Sequence, residues 1–197
     1  MKSFFLFPIL IFVSGMFIGC ASVDQRVNLT YDKYVNAGGG SGELFIATPV
    51  ETHSAVKRPS GEIVIGIVKG SDRKVVTTSD IGYWVMNALT EELRTAGYSI
   101  KTVNKIPENA PKGLNILLSR IDANQTNDLV TVTTEAHLNI SAEIWKNGNK
   151  IHVLNVRSDN EKKGIERSAE TIAVVLKETL QNALKDLVPR IINKLEH

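Results

Sequence analysis

Apolar residues recur along this chain at two spacings, and the changes of spacing mark its elements. Val27, Leu29 and Tyr31 alternate with polar neighbours, a short strand pattern. Ala37 to Gly42 is a glycine-rich break that lacks the lysine and helix a phosphate loop requires. Leu44 to Thr48 and Ile63 to Val68 then read as strands, the second a continuous apolar run suited to a buried position. Gly70 to Lys74 is a polar turn. From Ile81 the spacing lengthens to three and four residues, through Trp84, Val85, Ala88, Leu89 and Leu93. That is one buried stripe of a helix, capped by Ser79 or Asp80 and stopped by Gly97. Glu91 and Glu92 are expected to face solvent from it. Tyr98, Ile100 and Val103 begin a further strand, Pro107 to Gly113 forms a loop, and Leu114 to Ile121 is a largely apolar strand.

The clearest pattern runs from Val130 to Trp145. Val130, Val132, Thr134, Ala136, Leu138, Ile140, Ala142 and Ile144 fall on one face, and Thr131 through Glu143 in steps of two fall on the other. Strict alternation predicts one packed and one wet face. Asn147-Gly148 predicts a two-residue type I′ hairpin, because both positions favour positive φ. A tight loop there sets Ile144 opposite Ile151, Ala142 opposite Val153 and Glu143 opposite His152. The return strand is expected to end near Arg157, leaving the charged stretch Arg157 to Glu170 as a solvated loop. Ser168 opens a last helix striped by Ile172, Val175, Leu176, Leu180, Ala183, Leu184, Leu187 and Ile191, which Pro189 should bend or end. Two apolar helix stripes need a shared sheet face. The expected fold is α+β, an antiparallel sheet with two main helices packed on one face in a two-layer sandwich.

The start of the chain follows a different rule. Lys2 precedes an apolar run from Phe4 to Val13, and Ser14 to Gly19 leads to Cys20. That order of parts is a secretory signal peptide. The run is shorter than the ~20 apolar residues that span a bilayer, and Pro8 interrupts it. Phe17-Ile18-Gly19-Cys20 resembles the bacterial lipobox, with Phe17 standing where leucine is usual. Cleavage is thus expected between Gly19 and Cys20, with lipid attached to the Cys20 sulfur. Each buried methylene adds about 0.8 kcal/mol, so several acyl chains would hold the protein firmly. The expected layout is a signal peptide at 1–19, a lipidated cysteine and polar tether at 20–26, and a single periplasmic α+β domain at 27–197. Ala21, where an aspartate would favour inner-membrane retention in enteric bacteria, points to the outer membrane.

Composition narrows the chemistry. There are 23 Lys and Arg against 21 Asp and Glu, a near-neutral balance that argues against a nucleic-acid protein. Cys20 is the only cysteine, so no internal disulfide can form. His137 and His152 could share a sheet face with Glu135 and Glu143, but a solvated cross-strand charge pair explains them as well as a metal or acid-base site. No Gly-x-Ser-x-Gly elbow is present. No cofactor, metal site or catalysis is therefore expected. Trp84 follows the helix stripe and belongs to the core. Trp145, at the hairpin end of the wet face, is the candidate partner contact together with His137 and Glu143.

Several segments carry a resemblance. Ile63-Val64-Ile65-Gly66-Ile67-Val68 with Asp72-Arg73, the helix end Leu89-Thr90-Glu91-Glu92-Leu93 before Ala96-Gly97-Tyr98, and the hairpin Trp145-Lys146-Asn147-Gly148-Asn149 are similar to the YajG-type family of small, uncharacterised bacterial lipoproteins. The resemblance spans the lipobox and roughly Gly61 to the last helix. It implies an anchored envelope protein. The function expected is a non-enzymatic accessory role through contacts with an envelope protein partner; the alternative is a periplasmic module binding a small ligand or cell-wall glycan through His137, Asn139 and Glu143.

Overall fold

Asp80 starts the first helix as its sequence promises. Its side chain accepts from the Tyr83 amide at 2.9 Å, and helix α1 runs Ile81–Thr95. Gly97 follows at φ 116°, a backbone state that needs glycine. The expected stripe is buried, Trp84 included. Glu92 is the exception to the reading of this helix: it is 1% exposed, whereas Glu91 lies in solvent. The Glu92 carboxylate accepts from the Tyr31 hydroxyl at 2.5 Å, the Tyr34 amide at 2.7 Å and the Val35 amide at 3.1 Å. Burial and this carboxylate push the Tyr31 phenol up, so it remains a donor. Residues 27–35, expected to start with a strand, instead form an irregular segment clasped by Glu92, with Val27, Leu29 and Val35 buried.

The computed structural model describes residues 23–51 and 56–197; the leader and Cys20 lie outside the described residues. Among those described, two mixed sheets form. The smaller orders β1 (Gln25–Arg26), β6 (Lys74–Thr77), β5 (Ile63–Ile67) and β4 (Val56–Lys57) as β1-β6-β5-β4, with β1 and β6 parallel. The larger orders β10 (Asn149–Gly164), β9 (Val132–Lys146), β8 (Lys112–Asn127), β2 (Glu43–Ala47) and β7 (Ser99–Val103) as β10-β9-β8-β2-β7, with β3 (Val50–Glu51) on β8. β8, β9 and β10 are antiparallel, but β2 runs parallel to both β7 and β8. The purely antiparallel expectation is thereby corrected; the α+β class holds. Parallel neighbours need a crossover, and the small sheet and α1 supply it between β2 and β7.

β9 alternates as expected, with Val132, Thr134, Ala136, Leu138, Ile140, Ala142 and Ile144 buried. Val130 lies before the strand and is exposed. β8 is longer than its apolar run, continuing through polar residues to Asn127. A bulge between Leu118 and Arg120 shifts its parity, so Leu114, Ile116 and Leu118 share the packed face with Ile121, Ala123 and Gln125. β10 continues to Gly164, so most of the expected charged loop is strand. Asp24 to Arg26, expected in the tether, are built into the domain. Gln25 pairs with Val75, and Asp24 binds Arg58 at 2.6 Å and the Lys74 amide at 2.7 Å.

Helix α2 (Ala169–Glu196) is capped by Ser168 and packs on β8, β9 and β10; α1 contacts α2 and β7. The eight stripe residues are all buried. Pro189 does not end the helix. It sits on the exposed face, where the freed Lys185 carbonyl can meet water, while buried Val188, Ile191, Ile192 and Leu195 hold both sides of it. The small sheet joins the large one at β8: Val68 bridges Gln125, and Gly66 lies so close that a Cβ there would stand 1.6 Å from the Ala123 carbonyl oxygen.

The end of α2 is tied down by Glu196. Its carboxylate meets Lys112 Nζ at 2.7 and 2.8 Å and accepts from the Ser41 hydroxyl at 3.0 Å. Desolvation raises its pKa, but the bonds from Lys112 and Ser41 outweigh this and hold the carboxyl at about 2, against 4.5 for an ordinary glutamate. A depressed pKa stabilises the fold fully above the unfolded value and loses that contribution as pH falls through the folded one. Glu196→Gln is therefore expected to lower the unfolding midpoint at pH 7 and to flatten its decline between pH 4.5 and about 2, as read by urea titrations across that range.

Candidate functional site

The wet face of β8, β9 and β10 gathers the polar side chains that the alternation sent away from α2. Register sets His137 between Asp122 and Asp159, Asn139 between Arg120 and Arg157, and Glu143 between Asn115 and Val153. His137 Nδ1 lies 2.5 Å from Asp159 Oδ1, and Arg157 Nε donates to Asp159 Oδ2 at 2.8 Å. The two partners, His137 first, hold the Asp159 carboxyl below its usual range. Arg120 donates to Asp122 in the same way. Desolvation works against ionised Glu143, but Lys150 at 2.9 Å and Asn115 at 2.9 Å outweigh it and leave its pKa lowered. Each of these carboxylates is already engaged by a cation or a donor.

All three cross-strand pairs expected beyond the hairpin, Ile144 with Ile151, Ala142 with Val153 and Glu143 with His152, fail. The loop is the two-residue turn expected, with Asn147 at φ 49° and Gly148 at φ 74°. A bulge at Ile151 then moves the register by one, placing His152 opposite Ile144 and Val153 opposite Glu143. A one-residue slip reverses every side chain. His152 therefore lines a shallow hollow with Leu154 and Pro189 on the α2 side, away from His137 and Glu143. Among the described residues no group of three His, Cys, Asp or Glu is placed to hold a metal ion.

Trp145 is half-buried rather than free. It packs with Phe45 on a small apolar cluster of Ala47, Ile106 and Ala110. A cavity of about 370 Å³ opens beside it, lined also by Thr48, Lys105 and Asn115. The indole Nε1–H lies toward Glu143 and favours its charged form without meeting hydrogen-bond geometry, so this donor is buried and unpaired. The sequence hid a larger feature. A cleft of about 760 Å³ lies between Tyr34 to Gly38 and the last turns of α2 at Lys185, Pro189, Ile192 and His197. Its two walls are far apart in the chain; Glu92 fixes the segment beside Tyr34, and Lys177 and Gln181 of α2 bind Asp32 at 2.7 and 3.0 Å. The exposed Pro189 was its only local mark.

Residues 48–192 match the family described as an uncharacterised lipoprotein. The chain belongs to this lipoprotein family. Its members are membrane-anchored envelope proteins by that description, and the YajG-type resemblance is thereby established. The description assigns the family no enzymatic activity. Among the described residues no helix is long and apolar enough to cross a membrane. The fold is similar to protein XCC0632 from Xanthomonas campestris, with TM-score 0.58 at 10% identity over 89% of this chain and 98% of that one. Looser similarity extends to lipoprotein GNA1162 from Neisseria meningitidis, with TM-score 0.38 at 9% identity over 79% and 98% of the two chains. A minor lipoprotein from Acinetobacter baumannii gives TM-score 0.35 at 11% identity over 85% and 92%. No curated protein matches the sequence.

Proposed function

We propose that this lipoprotein is anchored through Cys20 to the periplasmic face of the outer membrane, where it serves without catalysis as an accessory protein for another envelope component. The observation that carries the reading is Gly19-Cys20 behind a short apolar leader in a chain of a lipoprotein family. The wet sheet face supports it. Asp159, Asp122 and Glu143 are each committed to neighbours, which suits a preformed polar surface better than a reacting centre. Trp145, His137 and Glu143 are its contact residues on this reading.

A second reading is favoured by one observation. The unpaired indole N–H of Trp145, beside the cavity, would donate to a hydroxyl oxygen of a small ligand or cell-wall glycan. Mass spectrometry of the native protein should find diacylglycerol on Cys20; an unmodified residue 20 or a retained leader sinks the anchor. Crosslinking in cells should capture one envelope protein, with capture reduced by Trp145→Ala. Thermal shift by cell-wall fragments, lost in Trp145→Phe, would favour the second reading instead.

A further inference from the structure

Loops that gather at one end of the molecule carry apolar side chains that the fold leaves in water. β8 and β9 close through residues 128–131, where Leu129 is fully exposed and Val130 is 79% exposed. Gly164, the last residue of β10, pairs with Val132, so Ile165, 80% exposed, lies at the same end. Arg167 Nε donates to Asn127 Oδ1 at 2.6 Å and holds the start of the β10–α2 connection there. β5 runs parallel to β8 through the Val68–Gln125 bridge, so the turn at 69–73 joins the same end, with Asn127 Nδ2 donating to the Lys69 carbonyl at 3.4 Å.

The chain enters the domain at this end as well. Gln25 pairs in parallel with Val75, and Asp24 accepts from the Lys74 amide. Backwards from Asp24 the chain therefore heads along β6 toward the 69–73 turn, and Val23 is already 70% exposed. Three residue steps separate Val23 from Cys20, a reach of at most about 11 Å. Lipid on Cys20 would hold this end, and no other, against a bilayer. Charges here are mixed: Lys69, Arg73 and Arg167 are interspersed with Asp72, Asp128 and Glu166. Attraction to anionic lipid is accordingly weak, and the apolar tips must supply the contact.

The geometry points to a bilayer-contact surface, in which Leu129, Val130 and Ile165 enter the lipid headgroup layer beside the anchor. The inference rests on lipidation of Cys20. Apolar side chains on separate loop tips match a fluid interface better than a shaped protein partner. The lipoprotein then stands in one orientation, and the 15 residues of β9, at about 3.3 Å each, carry the Asn147-Gly148 hairpin roughly 50 Å from this end.

A thioether consumes the Cys20 sulfur, so a cysteine introduced elsewhere is the only free thiol of the full lipidated protein. Leu129→Cys, Ile165→Cys and Asn149→Cys are each labelled with a polarity-sensitive fluorophore in vesicles of phosphatidylethanolamine and phosphatidylglycerol. Labels at 129 and 165 should shift to the blue and be quenched several-fold more than the label at 149 by a lipid-borne nitroxide. Three equally wet labels would overturn the surface. So would a shift at 129 and 165 that ignores the nitroxide and grows with protein density, which would mean a second copy sits there. Failure of lipidation registers separately, as a second labelled thiol at residue 20 and protein that does not float with the vesicles, and the surface falls with it.

Discussion

Gly66→Ala is expected to destabilise the fold by about 3 kcal/mol or more, because the added methyl meets backbone rather than a movable side chain. Its Cβ would lie 1.6 Å from the Ala123 carbonyl oxygen and 2.6 Å from the carbonyl carbon. β5 and β8 must separate to admit it, and separation breaks the Val68–Gln125 bridge and the 2.7 Å bond from the Lys69 amide to the Gln125 carbonyl. The small sheet is then left without its seat on the large one. Urea denaturation of wild type and variant measures the loss, and limited proteolysis should find earlier cleavage between residues 52 and 73. A change below about 1 kcal/mol would show that the strands do not cross at this distance.

Glu92→Ala should cost a similar amount for a different reason. Removing the carboxylate leaves the Tyr31 hydroxyl and the Tyr34 and Val35 amides without their acceptor. A buried polar group stripped of its partner costs about 1–3 kcal/mol, and three share the loss, so about 3 kcal/mol or more is expected. Glu92→Gln separates this from simple packing. It keeps an amide oxygen where Oε1 accepts all three bonds and puts the amide nitrogen at Oε2, which has no partner. The glutamine should cost about 1 kcal/mol, the difference between charged and neutral acceptors. If alanine is tolerated within ~0.5 kcal/mol, or glutamine is as damaging as alanine, the clasp is not what holds residues 31–35. Hydrogen exchange at the Tyr34 and Val35 amides reports the same release, and the cleft beside Tyr34 should loosen with it.

Local periodicity carried most of the elements. The stripes of α1 and α2 and the alternation of β9 were legible because each repeats over several turns or pairs, and Asn147-Gly148 was legible because its backbone state is rare. What failed depended on distant neighbours. Val75 and Val76 form a fully buried strand that a turn reading of Gly70 to Lys74 passed over. The polar second half of β8 is strand only because β9 supplies its ladder. Ile151 has nothing in its own sequence to mark a bulge, yet that one residue separated His152 from Glu143. Glu92 looked like a surface acid because its three donors lie 57 to 61 positions away. Of the candidate contacts, His137 and Glu143 were placed on the correct face, and Trp145 on that face but half-buried.

β10 ends the larger sheet, and its outer side offers a long row of backbone donors and acceptors. Tethered proteins share a plane, where neighbours meet far more often than in solution, so such a border would invite strand exchange between molecules. Lys150, Arg157, Lys162 and Lys163 punctuate it, and the kink at Ile151 spoils its straightness. Charges and a kink of this kind work against edge-to-edge pairing of neighbouring molecules.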